Sequence, residues 1–97
     1  MTFLRRRDRE ATAEAEEIAA RVGNQVVQRA PDQLRALVDV PDRFEEAGTS
    51  GQRYQVVVEA WPEDREGRIL RVSVAVDGGA VSPMRPIGWG DSVTIEE

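Results

Sequence analysis

The side chains in this sequence that could do chemistry are carboxylates, arginines, one tyrosine and four serines. The chain of 97 residues has no histidine and no cysteine, and all 13 of its basic residues are arginines. It therefore lacks the imidazole or thiolate of the common nucleophilic sites, the usual zinc ligands, and the lysine of a Schiff base or P-loop. From this composition we expect no enzymatic activity, no cofactor and no bound metal.

The acidic residues cluster in three places: Glu45-Glu46, Glu63-Asp64 with Glu66, and Glu96-Glu97. A divalent cation needs several oxygens that converge in space, and none of these clusters has the spacing of a calcium loop. We interpret them as solvated surface. Ser50 and Ser92 have no neighbouring base to activate them, so neither is interpreted as a nucleophile.

The charge distribution argues against a nucleic-acid partner. The net charge is −5, yet residues 1–9 contain four arginines and one aspartate, so this basic N-terminal arm carries +3 and the rest carries −8. An acidic body repels a phosphate backbone, which leaves only a weak contact through the arm. The arginines concerned are Arg5, Arg6, Arg7 and Arg9.

Membrane insertion is not predicted. The longest uninterrupted aliphatic run is Val56–Val58, whereas a spanning helix needs about 20 apolar residues. Residues 1–7 also lack the apolar centre of a signal peptide. We therefore expect no transmembrane segment and a cytoplasmic protein.

The N-terminal half has helical periodicity. Apolar residues recur at spacings of three and four between about Asp8 and Arg29, and Glu14 lies on the polar face. Pro31 suits the first turn of a new helix, so we predict that the helix is kinked or split there and that a second helix covers 31–39. Residues 42–52 are interpreted as a flexible loop. The inward residues of the first helix are Ala11, Ala15, Ile18, Val22 and Val26.

The C-terminal half has the alternation of β-strands. Residues 53–61 and 69–77 each have one strongly apolar face, and a charged loop joins them as a hairpin. The register that pairs Val58 with Val72 also pairs Glu59 with Arg71, so we predict that register.

A second hairpin is predicted at Asp77-Gly78-Gly79, because adjacent Asp-Gly supplies the positive φ that a two-residue turn requires. A third strand would follow at 80–85, with Val81 inward. Residues 88–91 are interpreted as a turn, and 92–96 as a possible fourth strand.

These elements predict a single α+β domain over residues 1–97, with two layers: the N-terminal helix region packed on an antiparallel β-meander of three to four strands. In its order of elements the chain resembles cystatin-like and related helix-grip folds. The stretch Gln55–Glu59 is similar to the Gln-x-Val-x-Gly hairpin of cystatin protease inhibitors, but Glu59 stands where that family has glycine. The resemblance implies an alternative function, a small-ligand-binding domain whose pocket between helix and sheet is lined by Tyr54, Glu59 and Arg71.

The aromatic residues indicate an interaction surface. Trp61 falls on the outer sheet face with Val57, Ile69 and Ala75, close to Arg71, and large aromatics beside arginine are typical of interface centres. Three coverings are possible: the C-terminal segment with Trp89, a second copy of the chain, or a ligand.

Our leading hypothesis is a non-enzymatic interaction or accessory domain of the bacterial type. It forms a homodimer, or binds another protein, through the outer sheet face or a free edge strand. The interface residues predicted for it are Trp61, Arg71, Trp89, Val57 and Ile69.

Overall fold

The computed structural model describes residues 6–78, 81–82 and 84–95, with side chains from Ala11 onward. The chain order is α1 (Arg6–Val26), α2 (Pro31–Asp39), β1 (Asp42–Ala47), β2 (Arg53–Pro62), β3 (Ile69–Asp77) and β4 (Ile87–Thr94). The strands form one antiparallel sheet in the order β1-β2-β3-β4, and both helices pack on the same face of it. The predicted α+β architecture is confirmed. The basic arm lies partly outside the described residues, since its Arg5 is not described and Arg6, Arg7 and Arg9 are described by backbone alone.

The helices follow the predicted pattern. All five inward residues predicted for α1 are buried, together with Ala19, and α1 packs on β3 and β4. Pro31 begins α2 as predicted, and the Gln33 side chain accepts a hydrogen bond from the Ala30 backbone N–H at 3.1 Å. Leu34 and Leu37 bury α2 against β2. No helix in the described ranges is long and apolar enough to cross a membrane.

The inner faces of β2 and β3 form the core as predicted, but their register is offset by two residues. Val58 pairs with Val74 and Trp61 with Arg71, so the predicted pairing of Glu59 with Arg71 is wrong. The hairpin turn decides the offset: the Asp64 carboxylate accepts a hydrogen bond from the Ile69 N–H at 3.1 Å, and Gly67 takes a positive φ of 70°. A shift of two residues keeps the same side chains on the inner face, so burial alone does not select between the registers.

Residues 42–47, predicted as part of a flexible loop, form the edge strand β1. Phe44 lies opposite Val56 and packs on the core. Three ion pairs tie this strand to its surroundings: Arg29 with Asp42 at 2.7 Å, Arg53 with Glu45 at 2.9 Å and Arg21 with Glu46 at 3.6 Å. Sequence reasoning missed the strand because only one of its six residues is a large apolar side chain.

The described residues of the predicted strand at 80–85, which are 81, 82, 84 and 85, do not form a strand, and residues 80 and 83 lie outside the described ranges. The predicted turn at 88–91 is wrong. Gly78 and Val81 exchange two backbone hydrogen bonds of 2.9 Å, which makes a tight turn with a single bridge. The next paired strand is β4, and it runs through residues 88–91. The two glycines that suggested a turn lie on the outward face of β4, where a missing side chain costs little packing.

Candidate functional site on the outer sheet face

The outer face is the side of the sheet that the helices leave uncovered. It carries three arginines and three carboxylates, so it is electrically balanced on a chain of net charge −5. Such a face can approach a second copy of itself without net repulsion. From β1 to β4 its residues are Arg43, Glu45, Ala47, Arg53, Gln55, Val57, Glu59, Trp61, Ile69, Arg71, Ser73, Ala75, Asp77, Gly88, Gly90, Ser92 and Thr94.

Four of these residues form an apolar surface, here called the outer patch: Val57, Trp61, Ile69 and Ala75. Val57 lies opposite Ala75, and Trp61 lies opposite Arg71. Trp61 is 45% exposed, and the other three are half-buried. The structure therefore brings Val57, Trp61, Ile69 and Arg71 together on one face, as the alternation predicts.

Arg71 lies across the neighbouring strand instead of extending into solvent. A Cβ atom added to Gly90 would be 2.6 Å from Nη2 of Arg71, so the absence of a side chain at Gly90 lets the guanidinium rest on β4. Arg71 is half-buried, yet no carboxylate among the described residues forms an ion pair with it. Glu59 and Asp77 on the same face are likewise without an ion pair to any described residue.

Trp89 does not belong to this surface. It lies opposite Val74 on the inner face, and its indole packs against Gly23 of α1. The idea that the C-terminal segment folds back with Trp89 over the outer patch is therefore wrong, because that segment is a paired strand whose alternation turns Trp89 toward the helix. No segment in the described ranges covers the outer patch.

The three residues proposed to line a ligand pocket lie on opposite sides of the sheet. Tyr54 is fully buried on the inner face, whereas Glu59 and Arg71 are on the outer face. No single cavity between helix and sheet can contain all three. A surface groove of about 510 Å³ lies elsewhere, at the end of α2 beside the start of β1, with Arg29, Leu37, Val40 and Asp42 in its wall.

Sequence reasoning missed a carboxylate that organises the loop between β1 and β2. The two oxygens of Glu14 accept hydrogen bonds from the Ser50 hydroxyl at 2.6 Å, the Ser50 backbone N–H at 2.9 Å, the Tyr54 hydroxyl at 3.1 Å and the Thr49 hydroxyl at 3.2 Å. Gly48 makes this approach possible, because a Cβ there would collide with the carboxylate. We call this group the Glu14 latch.

The latch perturbs the acidity of both partners. Hydrogen bonds from the Ser50 hydroxyl and the Ser50 N–H hold the pKa of Glu14 below its usual 4.5. Burial, reinforced by the adjacent Glu14 carboxylate, raises the pKa of Tyr54 to about 12. A carboxylate with four donors is poorly suited to act as a general base, so the latch serves to hold the loop on the helix. No Asp/Glu group in the described part of the chain is arranged to hold a metal ion.

Comparison of the chain with models of known protein families, with curated proteins and with solved structures gives no match.

Proposed function

We propose that this protein is a non-enzymatic interaction domain that self-associates through the outer face of its sheet. The observation that carries the proposal is Arg71, a half-buried residue whose guanidinium lies over Gly90 and has no ion pair to any described residue. A partly desolvated charge is costly unless an opposite charge compensates it. A carboxylate from a second copy of the chain supplies that charge.

The surroundings of Arg71 suit an interface core. Trp61 is its cross-strand neighbour, and Val57, Ile69 and Ala75 extend the apolar surface along β2 and β3. Tryptophan and arginine are enriched among the residues that dominate binding energy, and both are most effective where the surrounding contacts exclude water. The outer patch offers these residue types on the two central strands of the sheet, with Trp61 and Arg71 next to the hairpin that joins β2 to β3.

A second copy is the occupant that the charge and size of the face favour. The three arginines and three carboxylates on the face allow it to oppose itself without an excess of either sign. With strands about 30 Å long and four strands spanning about 15–20 Å, the face covers about 500 Å². Two such faces bury about 1,000 Å², which reaches the lower limit for a specific interface.

Sedimentation equilibrium over a wide concentration range tests the proposal. We expect the wild-type chain to form dimers and Trp61→Ala to remain monomeric. The control is Met84→Ala, which removes a large apolar side chain that is 90% exposed outside the outer face. A wild-type monomer at every concentration would overturn the proposal, and so would equal loss of association in both variants.

A further inference from the structure

We infer that the two copies meet about a two-fold axis that runs parallel to β2 and β3, so that Trp61 of each copy covers Arg71 of the other. This inference rests on the self-association proposed above. It concerns the arrangement of the partner, which determines which side chains recognise each other.

The register of β2 and β3 determines which outer-face side chains lie side by side. On the outer face, Gln55 lies opposite Asp77, Val57 opposite Ala75, Glu59 opposite Ser73 and Trp61 opposite Arg71. A two-fold axis midway between these strands, and parallel to them, exchanges the two members of every such pair across the interface. Each β2 side chain then faces the β3 residue that is already its neighbour within the chain.

The contacts produced in this way are complementary in these four rows. The indole of Trp61 is the best aromatic partner for a cation, and it meets the Arg71 guanidinium of the other copy. Val57 meets Ala75, an apolar pair. Gln55 faces Asp77 and can donate its amide N–H to the carboxylate, and Glu59 faces Ser73 and can accept from its hydroxyl. No like charges are opposed on β2 and β3.

The same axis provides a carboxylate for Arg71. Residues two apart on one face of a strand are separated by about 6.6 Å. Glu59 of the other copy therefore lies one such step from the Trp61 that covers Arg71, within reach of an arginine side chain. Neither Arg71 nor Glu59 has an ion pair with a described residue of its own chain. The parallel axis pairs the Arg71 of one copy with the Glu59 of the other.

An axis perpendicular to the strands gives poorer contacts. If it crosses the row of Val57, Arg43 of β1 meets Arg43 of the other copy; if it crosses the row of Glu59, two glutamates meet. If the axis passes between these two rows, Val57 of one copy is buried against the Glu59 carboxylate of the other. Each of these arrangements opposes like charges or desolvates a charge on an apolar side chain.

Site-specific cross-linking distinguishes the two axes, because the chain has no cysteine of its own. Facing sheets pack about 10 Å apart and neighbouring strands about 4.8 Å apart. A parallel axis therefore brings residue 55 of the two copies to within about 11 Å, whereas a perpendicular axis through the centre separates them by about 16 Å or more. Gln55 is exposed, so the variant Gln55→Cys is expected to fold normally.

We expect Gln55→Cys, treated with a bismaleimide long enough to bridge the separation set by the parallel axis, to give covalent dimers in high yield. The control is Asn24→Cys, an exposed position on α1, which should stay unlinked. Failure of Gln55→Cys to cross-link while it still sediments as a dimer would overturn the parallel axis and leave self-association intact. A chain that sediments as a monomer would overturn both proposals.

Discussion

The indole of Trp89 in β4 lies directly against Gly23 of α1, at a point where a Cβ atom would collide with the ring. Gly23 is buried, and the contact joins the first helix to the last strand. A glycine in mid-helix ordinarily lowers helix stability, because it adds backbone freedom to the unfolded chain. Here it provides the space that lets a tryptophan fit between helix and sheet.

This contact predicts that Gly23→Ala destabilises the protein. In an unconstrained helix the change would stabilise by about 1 kcal/mol, but overpacking against Trp89 should cost about 1–3 kcal/mol. Urea denaturation measures the difference. In a Trp89→Leu background the same substitution should become neutral or stabilising. A more stable Gly23→Ala variant with Trp89 present would contradict this account of the contact.

The Glu14 latch predicts a loss of stability at acid pH. The pKa of Glu14 is lowered in the folded protein, so the latch stabilises the fold fully above the usual value of 4.5 and loses this contribution as the pH falls through the lowered pKa. Replacement by Gln removes this part of the pH dependence. Unfolding measured between about pH 7 and pH 3 should therefore give a flatter curve for Glu14→Gln. Glu16→Gln, at an exposed position on the same helix, is the control and should follow the wild type.

Tyr54 predicts a second, alkaline effect that can be observed directly. It is the only tyrosine in the chain, and its pKa is raised to about 12. Its contribution to stability is complete below pH 10 and is lost as the pH rises from there through about 12. The tyrosinate absorbance of the folded protein should titrate near pH 12, and at a lower pH in Glu14→Gln, where burial still raises the pKa but the carboxylate no longer adds to it. An ordinary titration near 10 in the wild type would rule out the buried hydrogen bond.

The hydrogen bonding of the Tyr54 hydroxyl predicts that Tyr54→Phe lowers the free energy of unfolding. The hydroxyl has one proton, which two acceptors share: the Glu14 carboxylate at 3.1 Å and the Ala11 carbonyl at 3.3 Å. Removing it should cost about 1.5–3 kcal/mol in urea unfolding, the usual net value of a hydrogen bond to a charged group. Hydrogen exchange at the Ser50 N–H should also become faster, since the carboxylate that accepts it is less well held. Unchanged exchange at Ser50 would show that the loop is held without Tyr54.

We expect the replacement of two arginines on the outer face, Arg71 and Arg53, to affect self-association differently. Arg71→Ala should weaken self-association at least about tenfold, because it removes the charge that a partner carboxylate compensates. Arg53→Ala should have little effect, since Arg53 is exposed and already pairs with Glu45 at 2.9 Å. Dissociation constants from sedimentation provide the comparison. Equal effects in the two variants would remove Arg71 from the centre of the interface.

Several features could be predicted because they depend on local patterns. The stripe from Ala11 to Val26, the new helix at Pro31 and the buried alternation of β2 and β3 follow from helix and strand periods, which any core on one side requires. The same alternation places Val57, Trp61, Ile69 and Arg71 on one face. These residues could be grouped from the sequence because alternate residues of a strand lie on the same face, whatever the register between strands.

Other features depend on pairs of residues that are distant in sequence. The turn at Asp64–Gly67 selects the register of β2 and β3. Residues 88–91 have the sequence of a turn, but they form part of a strand because they pair with β3. The Glu14 latch joins α1 to a loop near the middle of the chain, and no local pattern marks either end of it. Periodicity determines which side of an element is buried. Only tertiary packing decides what each side meets: it placed Trp89 against Gly23 and left Arg71 half-buried without an ion pair to any described residue.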